Sequence, residues 1–269
     1  MTAVRTTPTS RGEVGDVATA RVFARACAAE WTRLWTVQAT WWFLAAAAVV
    51  MVGLGAVAGL DAAADPAGAR GAAAWEAAEV CAMPAQFALL ALALVAVTSD
   101  YATGGIVPTL QWTPRRGILF LTRAVVTAGT ATALGVALAF VSALVAFAAA
   151  RPVLDLPWGE GLAVLGTVVF VFGAGTLLAV GLGFVLRNTA GALVAVFLLM
   201  LVLPLLLPQF GYRWMSALAE LLPGSGAAFL LLGGVPGMTR ASSLLVMLCW
   251  AAGALLLGWL RLARDDANR

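Results

Sequence analysis

Six long apolar stretches divide this chain, at about 41–60, 80–98, 124–150, 162–186, 190–207 and 242–260, and its polar residues gather between them. An α-helix needs about 20 apolar residues to cross about 30 Å of hydrocarbon, so the pattern predicts six membrane-spanning helices and an all-α membrane protein. The fifth stretch is the shortest, with Pro204 and Pro208 crowding its end. Only Arg187, Asn188 and Thr189 separate it from the fourth, which reads as a tight turn between antiparallel spans.

The segments outside the spans differ in kind. Residues 1–17 carry Pro, Gly, Ser and Thr without an apolar period and read as a disordered cytoplasmic tail. Over 18–36, Val22, Phe23, Ala26, Ala29 and Leu34 alternate with Arg21, Arg25, Glu30 and Arg33 at spacings of three and four, and Trp31 and Trp35 lie one turn apart. This predicts an amphipathic helix lying in the membrane interface, arginines toward headgroups and indoles at the water boundary. An extension of the first span is the alternative. Residues 37–260 form the six-helix membrane domain and 261–269 a cytoplasmic C-terminal tail.

The connection 208–241 holds two apolar patches, 214–222 and 227–232, each too short to span. Breaks at Pro223-Gly224 and Gly233-Gly234 predict a helix, a turn and a second short helix. Irregular backbone at membrane depth survives only where protein covers it or water reaches it, so an external re-entrant hairpin around Leu222, Pro223 and Gly224 is expected. A surface loop lying on the bilayer is the alternative.

Composition agrees: the 269 residues are 62% hydrophobic and 11% charged, against roughly 25% charged in a soluble domain. All sixteen basic residues are arginine. Without lysine the chain cannot form a P-loop, whose Lys ammonium sits on the nucleotide phosphates. Without histidine it lacks the commonest general base and a common metal ligand. Arg70, Arg151, Arg213 and Arg240 fall on one side of the predicted spans and the other twelve arginines on the opposite side. The positive-inside rule then puts both termini in the cytoplasm, and a bacterial cell membrane is the expected location. Cys27, Cys81 and Cys249 are far apart in sequence and read as small packing residues.

The chemistry is sparse. No ionisable residue is expected well inside a span, which weakens a proton- or ion-coupled carrier. Ser225, in Gly-Ser-Gly, has no histidine to activate it. Asp61 and Asp65 read as a solvated loop. No catalytic, metal-binding or cofactor-binding constellation emerges, so the chain is not expected to be an enzyme. Gly166, Gly173, Gly175, Gly181 and Gly183 in the fourth span allow close helix packing or line a path for substrate.

The connection 99–123 is the most distinctive. It combines Asp100, the pair Gly104-Gly105 followed by Ile106, then Leu110, then Thr-Pro-Arg-Arg-Gly at 113–117, and Arg123 at the opening of the third span. This order resembles the cytoplasmic loop of the ABC-2 type permease family, the membrane subunits of ABC exporters. That family commonly has Glu where Asp100 stands and a Gly-Thr pair where Gly104-Gly105 stands. The likeness extends over about 18–260 through the interfacial helix, six spans, short fourth-to-fifth turn and hairpin with Leu221-Leu222-Pro223.

The resemblance implies a coupling helix, reached through Asp100 and Tyr101, that seats in a cleft of a separate nucleotide-binding subunit. Ile106, Leu110 and Trp112 would fill the cleft, Pro108 and Pro114 would stiffen the loop, and Arg115 and Arg116 would pair with partner acids. Holding topology and touching anionic lipid is the alternative role for the two arginines. Glu30 or Asp100 would hold the interfacial helix against the loop. ATP and Mg would bind the partner ATPase, not this chain. A second copy or a related permease would complete the assembly among membrane lipids, with no nucleic acid. Export of a hydrophobic or amphipathic substrate is the leading expectation; a secondary transporter without ATPase and a membrane scaffold or sensor subunit are the alternatives.

Overall fold

The computed structural model describes residues 19–105 and 115–264, so the tail 1–17 and the loop positions Ile106, Pro108, Leu110, Trp112 and Pro114 lie outside the described residues. Six helices are long and apolar enough to cross a membrane: α2 (Gln38–Ala64), α3 (Ala74–Ala102), α4 (Arg116–Ala149), α5 (Trp158–Leu186), α6 (Thr189–Phe210) and α9 (Arg240–Arg264). They are preceded by α1 (Thr19–Thr36), and two short helices, α7 (Arg213–Glu220) and α8 (Pro223–Leu232), stand between α6 and α9. Among the described residues the only extended pairing is an isolated bridge between Ala73 and Asp155, which ties the α2–α3 and α4–α5 connections together.

The helices overrun the apolar stretches at nearly every end, because a hydrophobic run marks the hydrocarbon and not the backbone hydrogen bonds. α9 continues through Arg261 to Arg264, four residues into the expected tail, where basic residues suit a helix C-terminus. α4 begins eight residues before its apolar run, at Arg116, which carries Arg123 two turns inside the helix. Arg123 borders the apolar run 124–150 and still lies within the helix. It is wholly buried.

α5 is the most buried span and α3 the next, while α6 and α2 are the least covered by protein. Trp75, Phe172, Phe184, Leu89 and Leu178 form the interior around that central pair. In lipid this interior is held by close packing more than by exclusion of water. A Cβ at Gly181 of α5 would lie 2.5 Å from the Ala254 carbonyl carbon of α9, so the backbones meet there. Gly183 and Gly175 press on Val97 and Leu90 of α3, whereas Gly166 borders open space.

α6 passes through Pro204, as the stretch 190–207 implies, and continues to Phe210. A π-helical turn at Leu198–Val202 absorbs the ring and its missing donor. α7 and α8 are bent by 77° at their break, and the break falls at Leu221-Leu222, not at Pro223-Gly224 as expected. Proline lacks an N–H that the first helical turn does not need, so Pro223 opens α8 instead of ending a helix. Gly224 packs against the Met200 backbone of the π turn, and Gly226 faces Ser243 and Met247 of α9.

Gly181→Val should cost about 1–3 kcal/mol through overpacking at the α5–α9 crossing, while Gly166→Val should be near neutral. Thermal unfolding of the two variants in one detergent checks this; equal melting temperatures would count against the crossing.

Candidate functional site

α1 is amphipathic, but its inner face is not wholly apolar. Val22, Phe23 and Ala26 are half-buried and Leu34 is buried, whereas Ala29 and Arg25 are exposed. Glu30 lies one turn beyond Ala26 and Arg33 three residues further, and both turn inward, so that Arg33 does not face headgroups as expected. Trp31 is exposed, and the Trp31–Trp35 and Trp35–Trp41 ring pairs, 5.6 and 5.2 Å apart, carry the chain across the break at Val37.

Those two inward residues meet Asp100 in the last turn of α3 and Arg123 in α4. Arg33 donates from Nε to Glu30 Oε2 at 2.9 Å, from Nη1 to Asp100 Oδ1 at 2.9 Å and from Nη2 to the Ala96 carbonyl at 2.7 Å. Arg123 donates from Nε to Glu30 Oε1 at 3.1 Å and from Nη2 to Asp100 Oδ2. Each carboxylate is shared by two guanidiniums and the four charges sum to zero. The Arg123 side chain is 0% exposed, against 28% for Arg33, so the pairs differ in worth. Burying a guanidinium costs several kcal/mol, which only close, hydrogen-bonded counter-charges repay.

The same end of the bundle is bound by further arginines. Arg187, in left-handed conformation at the end of α5, donates to the Arg261 carbonyl at 3.2 Å, and Arg261 donates to the Val185 carbonyl. Arg116 donates to the Leu262 and Ala263 carbonyls at 3.0 and 3.2 Å, satisfying the C-terminal carbonyls of α9. The Tyr101 ring lies 5.4 Å beneath the Arg187 guanidinium and edge-on to Phe184. Arg115 is exposed and reaches the Thr19 hydroxyl at 3.2 Å. After Thr103, Gly104 takes a φ of +74° that ends α3, and Gly105 follows in the same turn.

The structure thus joins Glu30, Arg33 and Asp100 of the expected residues, and sets Tyr101, Gly104, Gly105, Arg115 and Arg116 around them. Leu222, Pro223 and Gly224 belong to the opposite end. Arg123 was missed as a site residue; its signal was a basic residue directly abutting an apolar run, facing an acid across one connection. Burial, and secondarily the Glu30 carboxylate, push the Cys27 thiol on α1 above its ordinary range, so it stays protonated at neutral pH. Among the described residues no group of three or more potential ligands converges on a metal position.

Comparison with known protein families finds none that matches this chain, and comparison with curated proteins finds no significant likeness.

Removing one member of the buried pair should cost far more than removing the half-exposed one. Asp100→Asn or Arg123→Met should lose about 3–5 kcal/mol, and Arg33→Met about 1 kcal/mol or less. Unfolding in a single detergent measures both; equal losses would mean that burial does not set the cluster's energetics.

Proposed function

We propose that this chain is the membrane permease subunit of an ATP-binding cassette exporter of the ABC-2 type, resident in a bacterial cell membrane with both termini cytoplasmic. The observation that carries this reading is the Glu30–Arg33–Asp100–Arg123 cluster. It ties α1 to the two helices that flank the connection through residues 103–115, so a push on that connection would move α1, α3 and α4 together. A coupling element needs such a link between a docked partner and the spans.

In this reading α1 lies in the cytoplasmic interface, and Arg115, exposed beside the connection, is offered to acids on a separate ATPase subunit that binds ATP and Mg. Closure of two such ATPases on nucleotide would press the connections of two paired permease copies and tilt their spans. α7 and α8 would form the external re-entrant hairpin, seated at the outer end of the path. Arg116 also caps α9, which ties the start of α4 beside the connection to that span.

The test is co-purification with the ATPase encoded beside this chain, and its nucleotide turnover in membranes. Arg115→Glu should weaken that association by about tenfold or more, because it both removes an attraction and adds a repulsion. Arg33→Met should keep the association and lower transport per ATP hydrolysed. Failure of the native chain to capture the ATPase would refute the permease reading.

A further inference from the structure

A crevice lies where the α1–α2 corner meets the last turns of α3, about 290 Å³ to its open mouth and so narrow that only about 10 Å³ admits a water-sized group. Its lining is polar at the shallow end and apolar below. Thr40 stands near the start of α2 and Ser99 near the end of α3, so both lie at the level where the spans enter the membrane. Phe43 is about one turn further in on α2, and Val95 about one turn further in on α3. Arg33 closes the shallow end from α1.

Three groups at that end have hydrogen bonds to give. Thr40 is 4% exposed, and its hydroxyl makes no hydrogen bond among the described residues. The hydroxyl is not sealed off, so the surface it keeps opens into the crevice that it lines. The hydroxyl of the half-buried Ser99 is likewise without a partner among the described residues. Arg33 spends one N–H on Glu30, one on Asp100 and one on the Ala96 carbonyl, which leaves donors of its guanidinium unused, and 28% of its side chain stays exposed. A buried hydroxyl with no partner is costly unless a ligand supplies one.

We propose that this crevice takes an oxygen of a phospholipid's phosphate, in the leaflet at the α1 end. The three groups all donate, which calls for a ligand rich in acceptors, and a phosphate is one. The narrow space admits a single oxygen, so the headgroup rests over the mouth and its acyl chain runs inward past Phe43 and Val95. Trp41 and Trp42, both exposed and next to Thr40 on α2, stand at the level where aromatic residues anchor a span in the interface. The cluster of Glu30, Arg33, Asp100 and Arg123 is neutral, so hydrogen bonds and not net charge select the ligand, and anionic and zwitterionic phospholipids serve alike. The lipid reaches Arg33 through the crevice and not across the outer face of α1. The site depends on the membrane placement of the spans and not on the export reading.

The probe is phosphatidylglycerol, titrated onto the full chain in detergent and followed by native mass spectrometry. Monogalactosyl diacylglycerol, which has two acyl chains and no phosphate, is the counter-probe. Saturable retention of a first phosphatidylglycerol is expected, without equal retention of the galactolipid and without displacement by inorganic phosphate. Thr40→Val, which keeps the shape and deletes the hydroxyl, should raise Kd about two- to tenfold, as should Ser99→Ala. Arg33→Met should raise it about tenfold or more. Without lipid, the melting temperature of Thr40→Val should be unchanged or higher, since an unpaired buried hydroxyl has been removed, so its weaker retention is not a loss of fold. Equal retention of the two lipids, displacement by inorganic phosphate, or retention untouched by Thr40→Val and Ser99→Ala would overturn the proposal and leave the crevice to water.

Discussion

A guanidinium cut off from solvent is the constraint on which one end of this bundle depends. Arg123 gives up its hydration inside α4 and is compensated by two carboxylates from two other helices, Asp100 on α3 and Glu30 on α1. Neither carboxylate alone could do this and also serve Arg33, so the positions of the three helices are mutually fixed. α1 makes few apolar burials of its own, Leu34 being its one fully buried residue, and its attachment is therefore largely ionic. Such a contact is strong while Arg123 and its two carboxylates are all present, and depends much less on the half-exposed Arg33.

The two ends of the bundle are chemically unlike. At the α1 end, Arg116, Arg187 and Arg261 turn their guanidiniums onto backbone carbonyls that helix ends leave without partners, and the surface is closed by these caps. At the other end, carboxylates stand open around a cavity and two short helices are wedged by Gly224 against the π turn of α6. α3 and α5 join the two ends, since they are the most buried spans and reach both.

The number and placement of the spans were legible because a bilayer imposes a minimum apolar length that no soluble pattern imitates. Their ends were not, because helices continue into polar sequence where the hydrocarbon stops; α4 and α9 show this most clearly. Pro223 misled because it opens a helix, so the break falls ahead of it and not where a proline rule places it. At the site, Glu30 and Asp100 were readable as residues that hold α1 to the connection. Arg123 was not, because a charge bordering an apolar run reads as the limit of the span. The inward turn of Arg33 was hidden by its position on a helix whose arginines mostly face out. The open cavity was beyond reach of the sequence, as it is assembled from four separate helices.

Hydrogen–deuterium exchange of the native chain and of Asp100→Asn in the same nanodiscs tests the central claim most directly, because it reads each helix separately. If the shared carboxylate holds α1, amides across Thr19–Thr36 will lose protection in the variant by at least about tenfold, while those of α9 stay as they were. Unchanged protection of α1 would contradict the ionic attachment, and equal loss in α1 and α9 would mean that Asp100 supports the whole bundle instead.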